Sequence, residues 1–398
     1  MSTTAAGLRP GGWRQGDPAG QRLFLRPFGD QPLLLESGQS LGPITLAWEC
    51  WGELNSQRSN AILLLHGFSG DSHAAGPAGP GHVSVGWWDG LIGAGRALDT
   101  ERFCVICSNV LGGCQGSTGP ASLAADGRPY GSRFPALSMR DLVAAERGLA
   151  DQLGIACWYA VIGVSMGGMR AQEWAVGSPQ RLKRLLLLAT AARCSAENIA
   201  LQHCQIQAIT QDPHFWGGDY YDQPSGGPGP GLARARALAQ LSYGSERELE
   251  RQVRRADDSS GSGNGSGSGS GSGGSDGVDD QIGHGDREAA IASLLDRQGQ
   301  ELVQRFDANS YITLTRAMSR YDIGRGRGGL AAALARITAR VCVVSVSSDR
   351  LFSPCRQQEL AEALPAGATY TSLQSDRGHD GFLAELDQLR PILEQLLG

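Results

Sequence analysis

Val161-Ile-Gly-Val-Ser-Met-Gly-Gly-Met169 sets a serine between two glycines, straight after an apolar, β-branched run and straight before a helix-forming stretch. A strand that turns sharply into a helix forces its turn residue into a strained backbone. Gly163 and Gly167, two positions either side of Ser165, have no side chain to clash there. The serine hydroxyl is therefore left exposed at the edge of a sheet, as in a nucleophile elbow. In a chain of 57 glycines the bare pattern could be accidental, so the surrounding sequence has to decide.

Around this stretch, short apolar or β-branched runs alternate with helix-forming ones, which predicts a mostly parallel sheet with helices on both faces, an α/β fold. The strand runs are Ala61–Leu65, Phe103–Ser108, Ala160–Val164, Leu185–Leu188, Val341–Ser347 and Thr369–Leu373. The helices between them include Ser138–Leu153, with its stripe of Leu142, Val143, Leu149 and Leu153, and Gly168–Val176, leading off the elbow. Leu33–Trp51 reads as an antiparallel hairpin at the sheet's edge. From Arg193 to about Leu330 the β-type runs vanish. Gln202–Thr210, Leu232–Leu241, Glu246–Arg255, Arg287–Phe306 and Ser310–Ser319 all read as helical.

The expected organisation is thus a core in two parts, 1–192 and 331–398, interrupted by a helical lid at 193–330. Within the lid, Ser259–Ser275 is all glycine and serine but for Asn264. It cannot bury apolar surface, so 257–286 is expected to be a flexible surface loop.

Composition narrows the function. A formal charge of −5 without a long lysine or arginine block argues against nucleic-acid binding or an anionic membrane surface. No run approaches 18 apolar residues and Met1–Gly20 lacks the apolar core of a signal peptide, so the cytoplasm is the expected compartment. The nine scattered cysteines give no disulfide framework. Cys104 and Cys107 form a C-x-x-C, but strand periodicity throws them to opposite faces. No second cysteine or histidine pair completes a zinc site, and no metal is expected.

A serine hydroxyl is a poor nucleophile unless a base, itself oriented by a carboxylate, takes its proton. On a sheet of this type those partners follow the serine in the order Asp, His, each on a loop after a strand. Asp349 follows Val341–Ser348, and His379 follows Thr369–Leu373 within Asp376-Arg-Gly-His-Asp-Gly-Phe382. Their rivals are a turn cap before Pro354 for Asp349 and a cap on the last helix for His379. Among the other histidines, His66 opens His66-Gly-Phe-Ser-Gly70 after a strand but precedes the elbow. That loop normally supplies an oxyanion-hole donor, so the main-chain N–H groups of Phe68 and Met166 are expected in that role. His284 is expected in solvent beside the Gly/Ser tract.

With these residues in hand, the chain resembles the homoserine O-acetyltransferase family, acyl-CoA-dependent enzymes of methionine biosynthesis with the α/β-hydrolase fold. The likeness rests on His66-Gly-Phe-Ser-Gly-Asp-Ser-His-Ala-Ala-Gly-Pro-Ala-Gly79, Gly86-Trp-Trp-Asp-Gly90, Ser108-Asn-Val-Leu-Gly-Gly-Cys-Gln-Gly-Ser-Thr-Gly-Pro120 and the elbow. It implies that Arg236 holds an amino acid's carboxylate, that Tyr243 lines the same pocket, and that Asp380 takes the substrate ammonium.

The resemblance also implies L-homoserine and acetyl-CoA as substrates, no permanently bound cofactor, a ping-pong mechanism through acyl-Ser165, and a homodimer formed by lid helices. Two features depart from the family: the Gly/Ser run in the lid, and Gly244 where arginine is common. A succinyl donor or a serine acceptor would fit the same scaffold. A serine esterase, with water as acceptor, is the reading from another class.

Overall fold

The computed structural model describes residues 11–224, 226–260 and 284–398. Of the expected loop 257–286, residues 261–283, with most of the Gly/Ser tract, lie outside these residues, as does the side chain of His284; its ends, 257–260 and 284–286, are corrected to helix. The strands run in chain order β1 (Leu23–Leu25), β2 (Leu33–Leu34), β3 (Ser40–Leu41), β4 (Leu46–Trp51), β5 (Ala61–Leu65), β6 (Ile92–Gly93), β7 (Leu98–Asp99), β8 (Cys104–Ser108), β9 (Ala160–Val164), β10 (Arg184–Leu188), β11 (Arg340–Val346) and β12 (Thr369–Leu373). Eight of them form one sheet in the order β1-β4-β8-β5-β9-β10-β11-β12. From β8 to β12 every pairing is parallel, while β1–β4 and β4–β8 are antiparallel.

The expected edge hairpin Leu33–Trp51 is corrected. Its first part forms a separate two-stranded ribbon, β2–β3, and its second part, β4, sits one strand in from the edge, covered by β1. The pair Leu33–Leu34 is too short to extend the main sheet, and Gly38, at φ 83°, turns the chain back on itself.

Strand periodicity divides the core. Along β5, Ala61, Leu63 and Leu65 pack on one face of the sheet while Ile62 and Leu64 pack on the other. Cys104 and Cys107 fall into these two different clusters, as their odd spacing requires. Both faces are covered, so the central strands are apolar throughout. On one side lie α1 (Met139–Gln152) and α2 (Met166–Gly177). Helix α1 opens on a capping box in which Ser138 and Asp141 satisfy each other's backbone N–H groups.

Between β10 and β11 the chain is helical, through α3 (Ala196–Thr210), α4 (Gly229–Tyr243), α5 (Glu246–Ser260), α6 (His284–Arg305), α7 (Ala308–Ser319) and the short α8 (Leu330–Leu334). Three further helices, α9 (Pro354–Ala363), α10 (Gly381–Ala384) and α11 (Leu386–Leu397), complete the layers. Strands β5, β9, β11 and β12 end on one sheet edge, and the loops that follow carry His66, Ser165, Asp349 and His379. In parallel sheets this carboxyl edge is where ligands bind.

Candidate active site

Strand β9 ends at Val164, and Ser165 takes φ 55° and ψ −121° before α2 begins at Met166. The glycines explain why the turn fits. A Cβ on Gly163 would lie 2.4 Å from the Gly167 carbonyl oxygen, and one on Gly167 would lie 2.0 Å from the Leu65 carbonyl oxygen. Strand, helix and the β5 loop approach so closely that no side chain has room.

Ser165, Asp349 and His379 converge although the last two lie far along the chain. His379 Nε2 is 2.8 Å from Ser165 Oγ, and His379 Nδ1 is 2.8 Å from Asp349 Oδ2. All three are buried. The other Asp349 oxygen, Oδ1, accepts the N–H groups of Leu351 and Phe352, at 2.8 and 2.9 Å. Asp349 therefore caps its own turn with one oxygen and orients the imidazole with the other, so the two rival readings are both satisfied. Burial disfavours the imidazolium of His379, but Asp349, as charge and hydrogen-bond acceptor, outweighs it and raises the pKa above the ordinary 6.5. Rings of Phe352, Phe382 and Tyr243 stand 5.5, 5.5 and 5.6 Å from the imidazole and keep it shielded.

A cleft of about 230 Å³ opens on Ser165 and His379, and Phe68, Tyr243 and Asp380 line it too. Burial raises the carboxyl pKa of Asp380, opposed by the charges of His379 and Arg236. Arg236 is not among the lining side chains; its guanidinium stands 5.0 Å from the ring centre of Tyr243, which does line the cleft. Met166 is the first residue of α2, where a main-chain N–H has no partner within the helix. A larger concavity of about 660 Å³, between Trp13, Phe24 and Leu123, contains none of the triad.

Several cleft residues escaped sequence reasoning. Asp71, Arg22 and Arg305 line it, and Arg305 Nη1 donates to the Ser69 carbonyl at 2.5 Å. No local pattern announces this contact, because the insertion brings Arg305 across from a distant part of the chain. His73 and His82 also line the cleft and stack at 3.7 Å over the buried Glu49, which accepts from His73 Nδ1 at 2.9 Å. These three are the group with metal-ligand spacing among the described residues. Their geometry does not suit an ion: ring lone pairs lie in the ring planes, the two planes are 10° from parallel, and His82 Nε2 already accepts the Gln21 N–H at 3.1 Å.

Comparison with known proteins identifies the family. The family model of the alpha/beta hydrolase fold matches residues 60–386. Homoserine O-acetyltransferase of Thermobifida fusca is 48% identical over 387 residues, 97% of this chain and 96% of that one. The chain belongs to the homoserine O-acetyltransferase family. Another member, from Leifsonia xyli subsp. xyli, is 46% identical over 97% of this chain and 92% of its own. Among solved structures, esterase E22 superposes with a TM-score of 0.81 at 28% identity, covering 95% of this chain and 99% of that one. The homoserine O-acetyltransferase of Bacillus anthracis does so with a TM-score of 0.78 at 26%, covering 95% and 96%. In this chain α4, which carries Arg236 and Tyr243, is capped by Gly244, whose N–H bonds to the Gln240 carbonyl.

Proposed function

We propose that this enzyme transfers the acetyl group of acetyl-CoA to the hydroxyl of L-homoserine through an acyl-Ser165 intermediate, giving O-acetyl-L-homoserine for methionine biosynthesis. One observation carries the reading: a hydrogen-bonded Ser165–His379–Asp349 relay shares its cleft with Asp380 and Tyr243, and Arg236 backs the Tyr243 ring. A relay alone serves any serine hydrolase; a half-buried carboxylate beside it, with an arginine near, serves a zwitterionic acceptor. The likeness to esterase E22 reflects the shared scaffold, while the relatives at 48% and 46% identity are acetyltransferases by name.

In the first half-reaction His379 Nε2 takes the Ser165 proton as Oγ attacks the thioester carbon. The main-chain N–H groups of Phe68 and Met166 hold the oxyanion, and collapse of the tetrahedral species expels the thiolate of CoA, which takes the proton from the imidazolium. Homoserine then enters, with its carboxylate toward Arg236 and its ammonium toward Asp380. His379 removes the hydroxyl proton as that oxygen attacks the acyl ester, and the proton returns to Ser165 Oγ as the product departs. No bound cofactor or metal takes part.

The helical stretch 193–330 serves as a lid between core segments 1–192 and 331–398. Its helices also supply the homodimer contact, and the enzyme works in the cytoplasm on these small molecules, without nucleic acid or membrane. No helix among the described residues is long and apolar enough to cross a membrane. The test is mass spectrometry of the products formed from a pool of acetyl-CoA, succinyl-CoA, homoserine and serine. O-acetyl-homoserine as the main product is expected; free acetate alone would identify a hydrolase.

A further inference from the structure

We infer that His66 is a positioning residue for catalysis: its ring fixes the orientation of the Gly67–Phe68 peptide and thereby aims the Phe68 N–H at the oxyanion. The inference rests on the proposed role of Phe68 as an oxyanion donor. His66 is buried, yet both ring nitrogens are engaged, each by a main-chain group. Nε2 stands 3.2 Å from the Val110 nitrogen, and because that N–H can only donate, Nε2 carries the lone pair. The proton of the neutral ring is then on Nδ1, which lies 2.7 Å from the Gly67 carbonyl oxygen and donates to it.

That carbonyl belongs to the same peptide unit as the Phe68 N–H. In a planar trans peptide the C=O and N–H point in opposite directions, so a donor that holds the Gly67 oxygen also sets where the Phe68 hydrogen points. The peptide stands against the nucleophile: a Cβ built on Gly67 would be 3.4 Å from Ser165 Cβ. Glycine has the conformational freedom to flip this peptide, and two donors hold the Gly67 oxygen against that: the Gly70 N–H at 3.2 Å and, more closely, His66 Nδ1.

Neighbouring groups hold the loop on either side. Arg170 Nη2 donates to the His66 carbonyl at 2.6 Å from within the core, and Arg305 Nη1 holds the Ser69 carbonyl from the helical insertion. The Phe68 ring packs against Phe306 and Tyr311, with centroids 5.8 and 4.8 Å apart. Burial, with the charge of Arg170, lowers the His66 pKa to about 3, so the ring stays neutral and keeps its lone pair for Val110 at any working pH. His66 is thus excluded as a proton shuttle and suited to a fixed donor–acceptor strut.

The experiment compares His66→Asn, His66→Gln and His66→Leu with wild type, reading the p-nitrophenol burst from p-nitrophenyl acetate, and kcat and KM for acetyl-CoA and homoserine. The Asn amide nitrogen sits near the place of Nδ1, whereas Gln carries the same amide one carbon too far. Losing one oxyanion donor costs about 10²–10³ in rate. The Leu and Gln variants are expected to slow acylation and kcat by that factor, with both KM values within about threefold of wild type and melting curves showing folded protein. The Asn variant is expected to recover to within about tenfold of wild type. Should Leu destabilise the fold, the Asn and Gln pair decides alone. Equal rates for Asn and Gln, or a burst in the Gln variant as fast as wild type, would overturn the inference. Absence of a burst and of an acetyl adduct on Ser165 in the wild-type enzyme would overturn the underlying reading instead.

Discussion

Ser165 holds φ 55°, a region that L-residues rarely occupy, and it does so because Gly163 and Gly167 let three main-chain segments close on it. The strain places Oγ within reach of His379 Nε2. Replacing Ser165 with Ala should lower turnover by roughly 10⁴- to 10⁶-fold and abolish the acetyl adduct seen by mass spectrometry of the intact protein. A residual rate within tenfold of wild type would refute the nucleophile. The base gives a second expectation. His379 accepts a proton only when neutral, and Asp349 holds its pKa above 6.5, so the acid limb of the acylation rate should be centred above pH 6.5. Asp349→Asn removes the stabilising charge; the limb should move to lower pH and kcat should fall about 10⁴-fold. A wild-type limb below pH 6.5 would contradict this electrostatic account.

Helix α2 follows directly on the nucleophile, and its position depends on groups the sequence does not mark as special. Arg170, fully buried, donates to Glu146 of α1 at 2.6 Å and to the His66 carbonyl at 2.6 Å, and Trp174 donates to the same carboxylate at 2.8 Å. One side chain therefore ties α1, α2 and the loop after β5 together. Breaking a buried pair strands a charge, and Arg170→Met should cost about 3–5 kcal/mol in urea unfolding. Combining it with Glu146→Gln should recover part of that loss, since no carboxylate is then left uncompensated. Gly167→Ala tests the close approach directly. Its Cβ would sit 2.0 Å from the Leu65 carbonyl oxygen, which is main chain and cannot swing aside. The expected result is destabilisation of about 3 kcal/mol or more, read from the same unfolding curves.

Across the whole molecule, the proposed mechanism gives the helical insertion the choice of which acceptor the acyl group meets. Water at roughly 55 M competes with an amino acid near ~1 mM, so equal partition already requires about 6 kcal/mol of preference for the amino acid. The insertion supplies Arg236 and Tyr243, and the loop after β12 supplies Asp380. Arg236→Ala should raise the KM for homoserine by about 10- to 100-fold, the worth of a charge-assisted hydrogen bond, and shift products toward free acetate. The CoA burst from acetyl-CoA should remain. Its loss would place Arg236 in donor binding instead.

Local chemistry made much of this legible before any coordinates. Short apolar or β-branched runs located β5, β9 and β12 to the residue, and the G-x-S-x-G spacing located Ser165, because both depend only on neighbours along the chain. The order Ser, Asp, His followed from strand order, and the structure brings Asp349 and His379 to Ser165. The short ribbon β2–β3 was misread as part of the sheet edge, because pairing partners are chosen in space and residues 33–51 do not encode them. Arg305 on Ser69 and Arg170 on His66 were likewise hidden. Each joins positions far apart in the chain, and only the packing of the insertion and α2 against the sheet edge brings them within hydrogen-bond range. The sequence by itself determined the central strands, the elbow and the kinds of group available for catalysis; the tertiary structure alone decided which charges face the cleft, because a side chain's direction depends on the packing around it.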